Sequence, residues 1–210
     1  MTWSVRLVKD MGVDHLQGKL ELQEDSAWEM MWSPYDLPTY QSVLEKINGT
    51  DVILEIGAGD LRLSCMISQI SKQVYAIEIQ KEILERHKQV LPKNLTIFHG
   101  DARTLPFPPG ISVGVILMRH CTHFQLYAEK LKASGCKRII TNARWRLDVE
   151  EISLEIERIP YCLLEMGLYA CWCGAAGFKP GPVEHFSPEM DAIISEVVHC
   201  PRCKPEYNLG

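Results

Sequence analysis

No hydrophobic run in this 210-residue chain is long enough to cross a membrane as a helix. The longest apolar stretch, Ile111 to Met118, falls far short of the ~20 residues that a spanning helix needs. Residues Met1 to Asp10 lack both a basic start and an apolar segment, so no secretory signal is read there. Clustered Lys and Arg are also missing, and the formal net charge is −5. A broad electrostatic grip on nucleic acid works by neutralising phosphates, and this composition does not support it. The nearest thing to a basic patch is Lys130, Lys132, Lys137 and Arg138, which reads as a solvated helix face and strand end. Internal repeats and low-complexity stretches are absent. What remains is an ordinary globular chain, expected in the cytoplasm and large enough to bury a core without disulfides.

Without a secretory signal, eight cysteines point to thiols or metal rather than a disulfide framework. Cys65, Cys121, Cys136 and Cys162 are scattered singly, and burial among apolar side chains is expected for most of them. Cys171, Cys173, Cys200 and Cys203 instead form two tight pairs near the C-terminus. Three segments are expected on this basis. Residues 1–49 form an irregular start and a helix, with a possible lid, and residues 50–165 form an α/β domain. Residues 166–210 form a cysteine-rich extension.

Within the first segment, Leu37 to Ile47 reads as a helix with Leu37, Val43, Leu44 and Ile47 on one side, stopped by Asn48-Gly49 in the left-handed region. From Val52 strand and helix alternate. Strands are expected at Val52–Ile56, Gln73–Ile77, Leu95–His99, Val113–Met118 and Arg138–Thr141. Helices are expected near 61–70, 81–90 and 126–133. Continuous apolar strands between helices mean a mostly parallel sheet covered on both faces. The fold class is α/β, doubly wound, with its ligand at the carboxyl ends of the strands. Beyond Trp145, Val149–Ile159 reads as a helix closed by Pro160. Ser187-Pro188-Glu189 reads as the start of another, running to about Val197.

Glu55-Ile56-Gly57-Ala58-Gly59-Asp60 follows the first strand directly. Two glycines there permit a tight turn and close approach of a ligand. Glu78 closes the second strand, 21 residues after Gly57, where a carboxylate can accept both hydroxyls of a ribose. Asp101 closes the third, where a carboxylate can accept from the exocyclic amine of adenine. A dinucleotide fingerprint would need glycine at position 62, which is Arg62, so the turn suits adenosine without a pyrophosphate.

Val52-Ile-Leu-Glu-Ile-Gly-Ala-Gly-Asp, Val74-Tyr-Ala-Ile-Glu78 and His99-Gly-Asp101-Ala resemble the first three motifs of class I S-adenosylmethionine-dependent methyltransferases. The run from 52 to 102 is similar to the cofactor half of the rRNA adenine dimethylase branch, and the resemblance covers roughly residues 50–141. It implies a Rossmann-like methyltransferase fold with S-adenosylmethionine as cofactor. Glu55, Gly57 and Gly59 would flank the methionine part, Glu78 the ribose and Asp101 the adenine, framed by Ile79 and Ala102. Arg119, Tyr35 and Tyr40 join the cofactor set. Two departures stand out. Leu61 occupies a place where many members carry a third glycine. The Asn/Asp-Pro-Pro-Tyr type motif of the adenine-modifying branch is replaced by Met118-Arg-His-Cys-Thr-His-Phe124, so base methylation does not carry over.

Methyl transfer is an in-line displacement that demands alignment and exclusion of water. Where the acceptor must lose a proton, His120 and His123 are the candidate bases. Trp32, Tyr35 and Tyr40 are read either as a lid over the cofactor or as packing for the first helix. Cys171-Trp-Cys173-Gly174 and Cys200-Pro-Arg-Cys203, 26 residues apart, are read as four thiolate ligands of a closed, structural zinc site. His185 or His199 in place of one cysteine is the variant reading, and a redox pair the remaining one. The whole reads as a methyltransferase for a small molecule or protein side chain rather than nucleic acid. Two alternatives stay open: a non-catalytic binding module whose cysteine lobe contacts a protein partner, and an RNA methyltransferase.

Overall fold

Strands that are apolar on both faces build the central sheet of the computed structural model, which describes residues 32–86, 90–145 and 148–204. Trp28 and the remainder of the irregular start, with most of the expected lid segment, lie outside the described residues, as does the expected helix end at 87–89. Six strands line up in the order β3-β2-β1-β4-β5-β6. They are β1 (Val52–Ile56), β2 (Gln73–Glu78), β3 (Leu95–His99), β4 (Val113–Ile116), β5 (Arg138–Thr141) and β6 (Glu150–Ser153). The first five run parallel, and β6 returns antiparallel beside β5. The chain winds outward from β1 through β2 to β3, then crosses to β4 on the other side. The strand order therefore reverses between β1 and β4, and a crevice opens there at the carboxyl ends.

Alternate side chains of each strand supply two cores. Ile53, Val74, Val113 and Ile140 pack on one face with Val43 and Ile67. Those two come from α1 (Leu37–Leu44) and α2 (Arg62–Ser68). Leu54, Ile77, Ile116 and Ile139 pack on the other with Phe124 and Leu131 of α4 (Phe124–Ala133). A one-turn helix, α3 (Lys81–Leu84), follows β2. Helix α1 starts at Asp36, whose carboxylate accepts from Thr39 N (3.0 Å) and Thr39 Oγ1 (2.5 Å), an ordinary N-cap. It is shorter than expected. Leu37 points to solvent, and Gly49 does not take the left-handed conformation.

The two helices expected after Trp145 are not there. Val149–Ile159 instead supplies β6, whose Ile152 is buried while Glu151 and Ser153 face outward. It then enters a second sheet in the order β7-β10-β8-β9. Its strands are β7 (Ile159–Pro160), β8 (Gly167–Cys171), β9 (Ala176–Lys179) and β10 (Ile194–Val198). Ser187 opens only a 3-10 turn, Pro188–Ala192, with no side-chain cap, and the following residues form β10. This small sheet draws β7 from ahead of residue 166.

The two sheets are joined by a buried ion network. Arg144, just past β5, donates to Glu150 (2.8 and 2.7 Å) and to Glu196 of β10 (2.9 and 2.6 Å). Glu196 also accepts from Arg158 Nε at 3.2 Å. Burial works against the Arg144 charge, but the two carboxylates outweigh it and hold the guanidinium firmly protonated. Removing both carboxylates would strand a buried charge, at a cost of about 3–5 kcal/mol.

Half of the supposed basic patch is engaged by the fold, while Lys132 and Lys137 are exposed. Arg138 pairs with Asp51 and Glu151, both at 2.7 Å. Lys130 Nζ donates to the carbonyls of Ala102, Arg103 and Leu105. Among the described residues no helix is long and apolar enough to cross a membrane.

Candidate active site

The carboxyl ends of β1 to β4 surround a cavity of about 570 Å³, within the usual range of ligand sites, ~300–1,000 Å³. Glu55, Gly57, Glu78, Ile79, Asp101, Ala102, Arg119, Tyr35, Tyr40, His120 and His123 all line it. Of the residues expected there, Gly59 alone is not part of the lining. Its backbone N–H instead donates to Glu78 Oε2 at 2.8 Å. Gln80 N–H holds Oε1, also at 2.8 Å. Two backbone amides thus fix the carboxylate at the end of β2, and each oxygen keeps a lone pair for a ligand hydroxyl.

Gly59 has φ +57°, and a Cβ there would stand 2.2 Å from the Trp32 indole nitrogen. The missing side chain lets the indole rest directly on the turn. Trp32 lines the cavity and carries the Arg86 guanidinium over its ring at 5.1 Å. Tyr40 is buried in the core beneath, and its hydroxyl accepts from Tyr35 N at 3.2 Å. Arg119 N donates to Tyr35 Oη at 3.3 Å, and its guanidinium lies 4.9 Å from the Tyr35 ring centre. Residues ahead of α1 are thus tied to the loop after β4 across the cavity.

Glu55 is buried, with Ser64 Oγ donating to it at 2.5 Å. Burial pushes its carboxyl up to about 8, against the Ser64 hydrogen bond and with help from the nearby charges of Glu78 and Asp60. Its chemistry at neutral pH is that of a neutral acid. Asp101 goes the other way: hydrogen bonds from Arg103 hold it below the usual carboxylate range. Leu61 does not narrow the cavity. It takes the left-handed conformation, φ 67°, and turns its side chain into the core under α2.

His120 and His123 stand at the cavity edge on the loop between β4 and α4. Arg103 Nη1 lies 3.3 Å from His123 Nε2. A guanidinium can only donate, so in this hydrogen bond the His123 nitrogen accepts. Several residues missed in the sequence complete the lining, among them Arg103, Met118 and Tyr127. Arg103 had a legible signal, since Gly-Asp-x-Arg occurs twice, at 59–62 and 100–103. The cavity offers paired carboxylates for hydroxyls and an amine. It also offers Arg119, whose Nε is buried without a partner, for an anionic group. The donor set fits S-adenosylmethionine, which carries both kinds of group.

Outside the cavity the four paired cysteines converge. Their sulfurs all lie within 4.8 Å of one another. Cys171–Cys203, Cys173–Cys200 and Cys200–Cys203 stand at 3.9, 3.6 and 3.8 Å. A disulfide needs ~2.05 Å, whereas Zn–S bonds of ~2.3 Å in a tetrahedron put sulfurs about 3.8 Å apart. Each pair sits on a tight turn: Gly174 N donates to Cys171 O, and Cys203 N to Cys200 O. Hydrogen bonds from Cys171 and Cys173 bring Cys200 far below the usual thiol range, while Cys173 is pushed up by its sulfur neighbours. Such a set suits a thiophilic cation. Neither His185 nor His199 joins it. Burial is expected for most of the single cysteines, but only Cys136 is buried; Cys65 and Cys121 are half-buried, and Cys162 is exposed.

Comparison with known proteins agrees with this geometry. Residues 54–141 match the family described as "Methyltransferase domain". A probable ribosomal RNA small subunit methyltransferase A of Pyrobaculum aerophilum is 43% identical over 61 residues, 29% of this chain and 26% of the relative. The chain thus spans about a quarter of that relative's length. Among solved structures, a precorrin 8w decarboxylase of Methanobacterium thermoautotrophicum has TM-score 0.44 and 24% identity, over 52% of this chain and 64% of that one. A dimethyladenosine transferase of Plasmodium falciparum has TM-score 0.42 and 21% identity, over 50% and 41%. Residues 54–141, a little under half of the chain, thus match a methyltransferase domain, with the motifs in order and the strand ends assembled around one cavity.

Proposed function

We propose that the chain transfers a methyl group from S-adenosylmethionine to a small molecule or protein side chain, and that Cys171, Cys173, Cys200 and Cys203 hold a structural zinc ion. The observation that carries the first part is the convergence of Glu78, Asp101, the glycine turn and the histidine loop on one cavity. When bound, S-adenosylmethionine supplies an electrophilic methyl group on a sulfonium. Glu78 receives the ribose hydroxyls, Asp101 the adenine amine, and Arg119 the methionine carboxylate. Tyr35 and Trp32 shield this space from water, which favours in-line displacement. His120 takes the acceptor's proton. His123 Nε2 is committed to Arg103 in the arrangement seen here. The four thiolates leave no open position, so the metal's part is to hold the small sheet together. The cysteine lobe is also a surface for a possible protein partner.

Calorimetric titration with S-adenosylmethionine, with NAD as control, tests the reading. Binding of the first alone is expected. Glu78→Ala and Asp101→Ala should each weaken it by ~1–3 kcal/mol, the worth of hydrogen bonds to a charged group. Undiminished affinity in both variants would remove the adenosine assignments.

One observation favours RNA as acceptor: the likeness of residues in the cofactor half to a ribosomal RNA methyltransferase. RNA affinity that collapses between 50 and 200 mM salt would support that reading over the small acceptor.

A further inference from the structure

Asp101 already has a ligand, and it is the chain itself. Arg103 N and Nε donate to Oδ1 at 2.8 and 2.9 Å. Nε also reaches Oδ2 at 2.9 Å, and Nη2 reaches it at 2.7 Å. These contacts use three N–H hydrogens, that of Nε being shared between both oxygens, and so fill most of the four lone-pair directions of the carboxylate. An exocyclic amine that approaches Asp101 meets a carboxylate already engaged by a guanidinium.

The backbone of this turn cannot retreat to make room. Lys130 on α4 clamps it through the carbonyls of Ala102, Arg103 and Leu105. The Arg103 side chain, 45% exposed, is the part of the turn with room to move, and its Nη1 already lies 3.3 Å from His123 Nε2. Asp60 and Arg62 pair in the same way, with Nη2–Oδ2 at 2.6 Å, so the geometry is native to the Gly-Asp-x-Arg turn. Location separates the two: Arg103 lines the cavity and Arg62 does not.

We propose that Arg103 is a built-in competitor for the adenine-recognising carboxylate: the adenosyl ligand contends with its guanidinium for Asp101, and this contest limits cofactor affinity. The inference rests on Asp101 being the adenine partner in the function proposed above. Arg103 is thereby an affinity-determining residue that contributes nothing favourable to the ligand it faces.

The test is a double-mutant cycle read by titration of S-adenosylmethionine into the full chain. Arg103→Ala is expected to bind about two- to fivefold more tightly than the wild type, the scale of a partly exposed ion pair. The same substitution made in an Asp101→Ala background is expected to change nothing. Equal or weaker binding by Arg103→Ala, with a wild type that binds, overturns the inference and leaves the cofactor assignment standing. Failure of wild type and variant alike to bind overturns the cofactor reading itself. A second readout needs no stable alanine variant. The Arg103 Nε–H resonance of the wild-type protein, assigned through Arg103→Lys, should shift on saturation with S-adenosylmethionine. A resonance that stays in place while the ligand binds would also overturn the proposal.

Discussion

The two sheets of this molecule are held together by different means. The six-stranded sheet is sandwiched between two apolar clusters rich in Ile, Leu and Val from every strand, with helices over both faces. Among the described residues, the buried cluster of the four-stranded sheet is Leu164, Cys171, Ala175, Val197 and Cys200. Two of those five are thiols. Larger side chains of the same region, including Leu163, Val183, Phe186 and Ile193, are exposed. A cluster this small cannot offset the conformational entropy of ordering some fifty residues. One region therefore folds by burial. The other, on the zinc reading proposed above, depends on a cross-link through its sulfurs, and the Arg144 network ties it to its neighbour.

Cys200→Ser is the most direct way to break that contrast. Structural zinc sites contribute on the order of 10–16 kcal/mol at neutral pH, so losing one ligand should release the metal and unfold the small sheet. Metal analysis and amide exchange in β8 and β10 check it. A metal-free protein with those amides still protected would show that the two sheets are alike after all.

The larger sheet has its own unusual element in Glu55, and pH exposes it. The folded-state pKa, about 8, lies above the ordinary carboxyl value, so the native state holds a proton that the unfolded chain has lost. Stability from this group is complete below the ordinary value and declines as pH rises toward 8, by at most about 1.4 kcal/mol per unit. Denaturant midpoints at pH 5, 6.5 and 8 should fall for the wild type and stay flat for Glu55→Gln. Parallel curves would mean that Glu55 is charged within the fold.

A smaller effect probes whether burial outweighs backbone strain. Leu61→Gly relieves a left-handed conformation that costs a non-glycine residue ~1–2 kcal/mol. It also removes a core side chain whose truncation costs about 3–5 kcal/mol. A net loss of roughly 1–4 kcal/mol in urea unfolding follows. A more stable variant would reverse the order of the two terms.

The first sheet was legible because its strands are apolar on both faces, a pattern that helices of such length do not share. β1, β3 and β5 lie where the sequence puts them, and β2 and β4 differ only at their ends. Val149–Ile159 failed for a specific reason. Its apolar residues fit a helical spacing at 149, 152, 156 and 159 but also alternate at 152 and 154, and the alternation is what the fold buries. Ser187-Pro188 was a sound local start, yet pairing of Ile194–Val197 with Leu168–Cys171 in β8 overrode it. In the site, Glu78 and Asp101 were visible from their spacing at strand ends. The grip of Gly59 on Glu78, the Trp32 contact and the Lys130 clamp depend on how loops are placed in space, which spacing along the chain does not report.

Gly174, at the turn that carries Cys171 and Cys173, has φ +93°, and a Cβ there would meet the Phe124 Cβ at 3.0 Å. Phe124 is the first residue of α4, one step beyond His123. The cysteine hairpin therefore braces the histidine loop as a buttress braces a wall, by leaning on its end without entering the chamber. Damage to the sulfur cluster would reach the histidine edge of the cavity through this contact and the packing of Trp172, although the cluster lines no part of it.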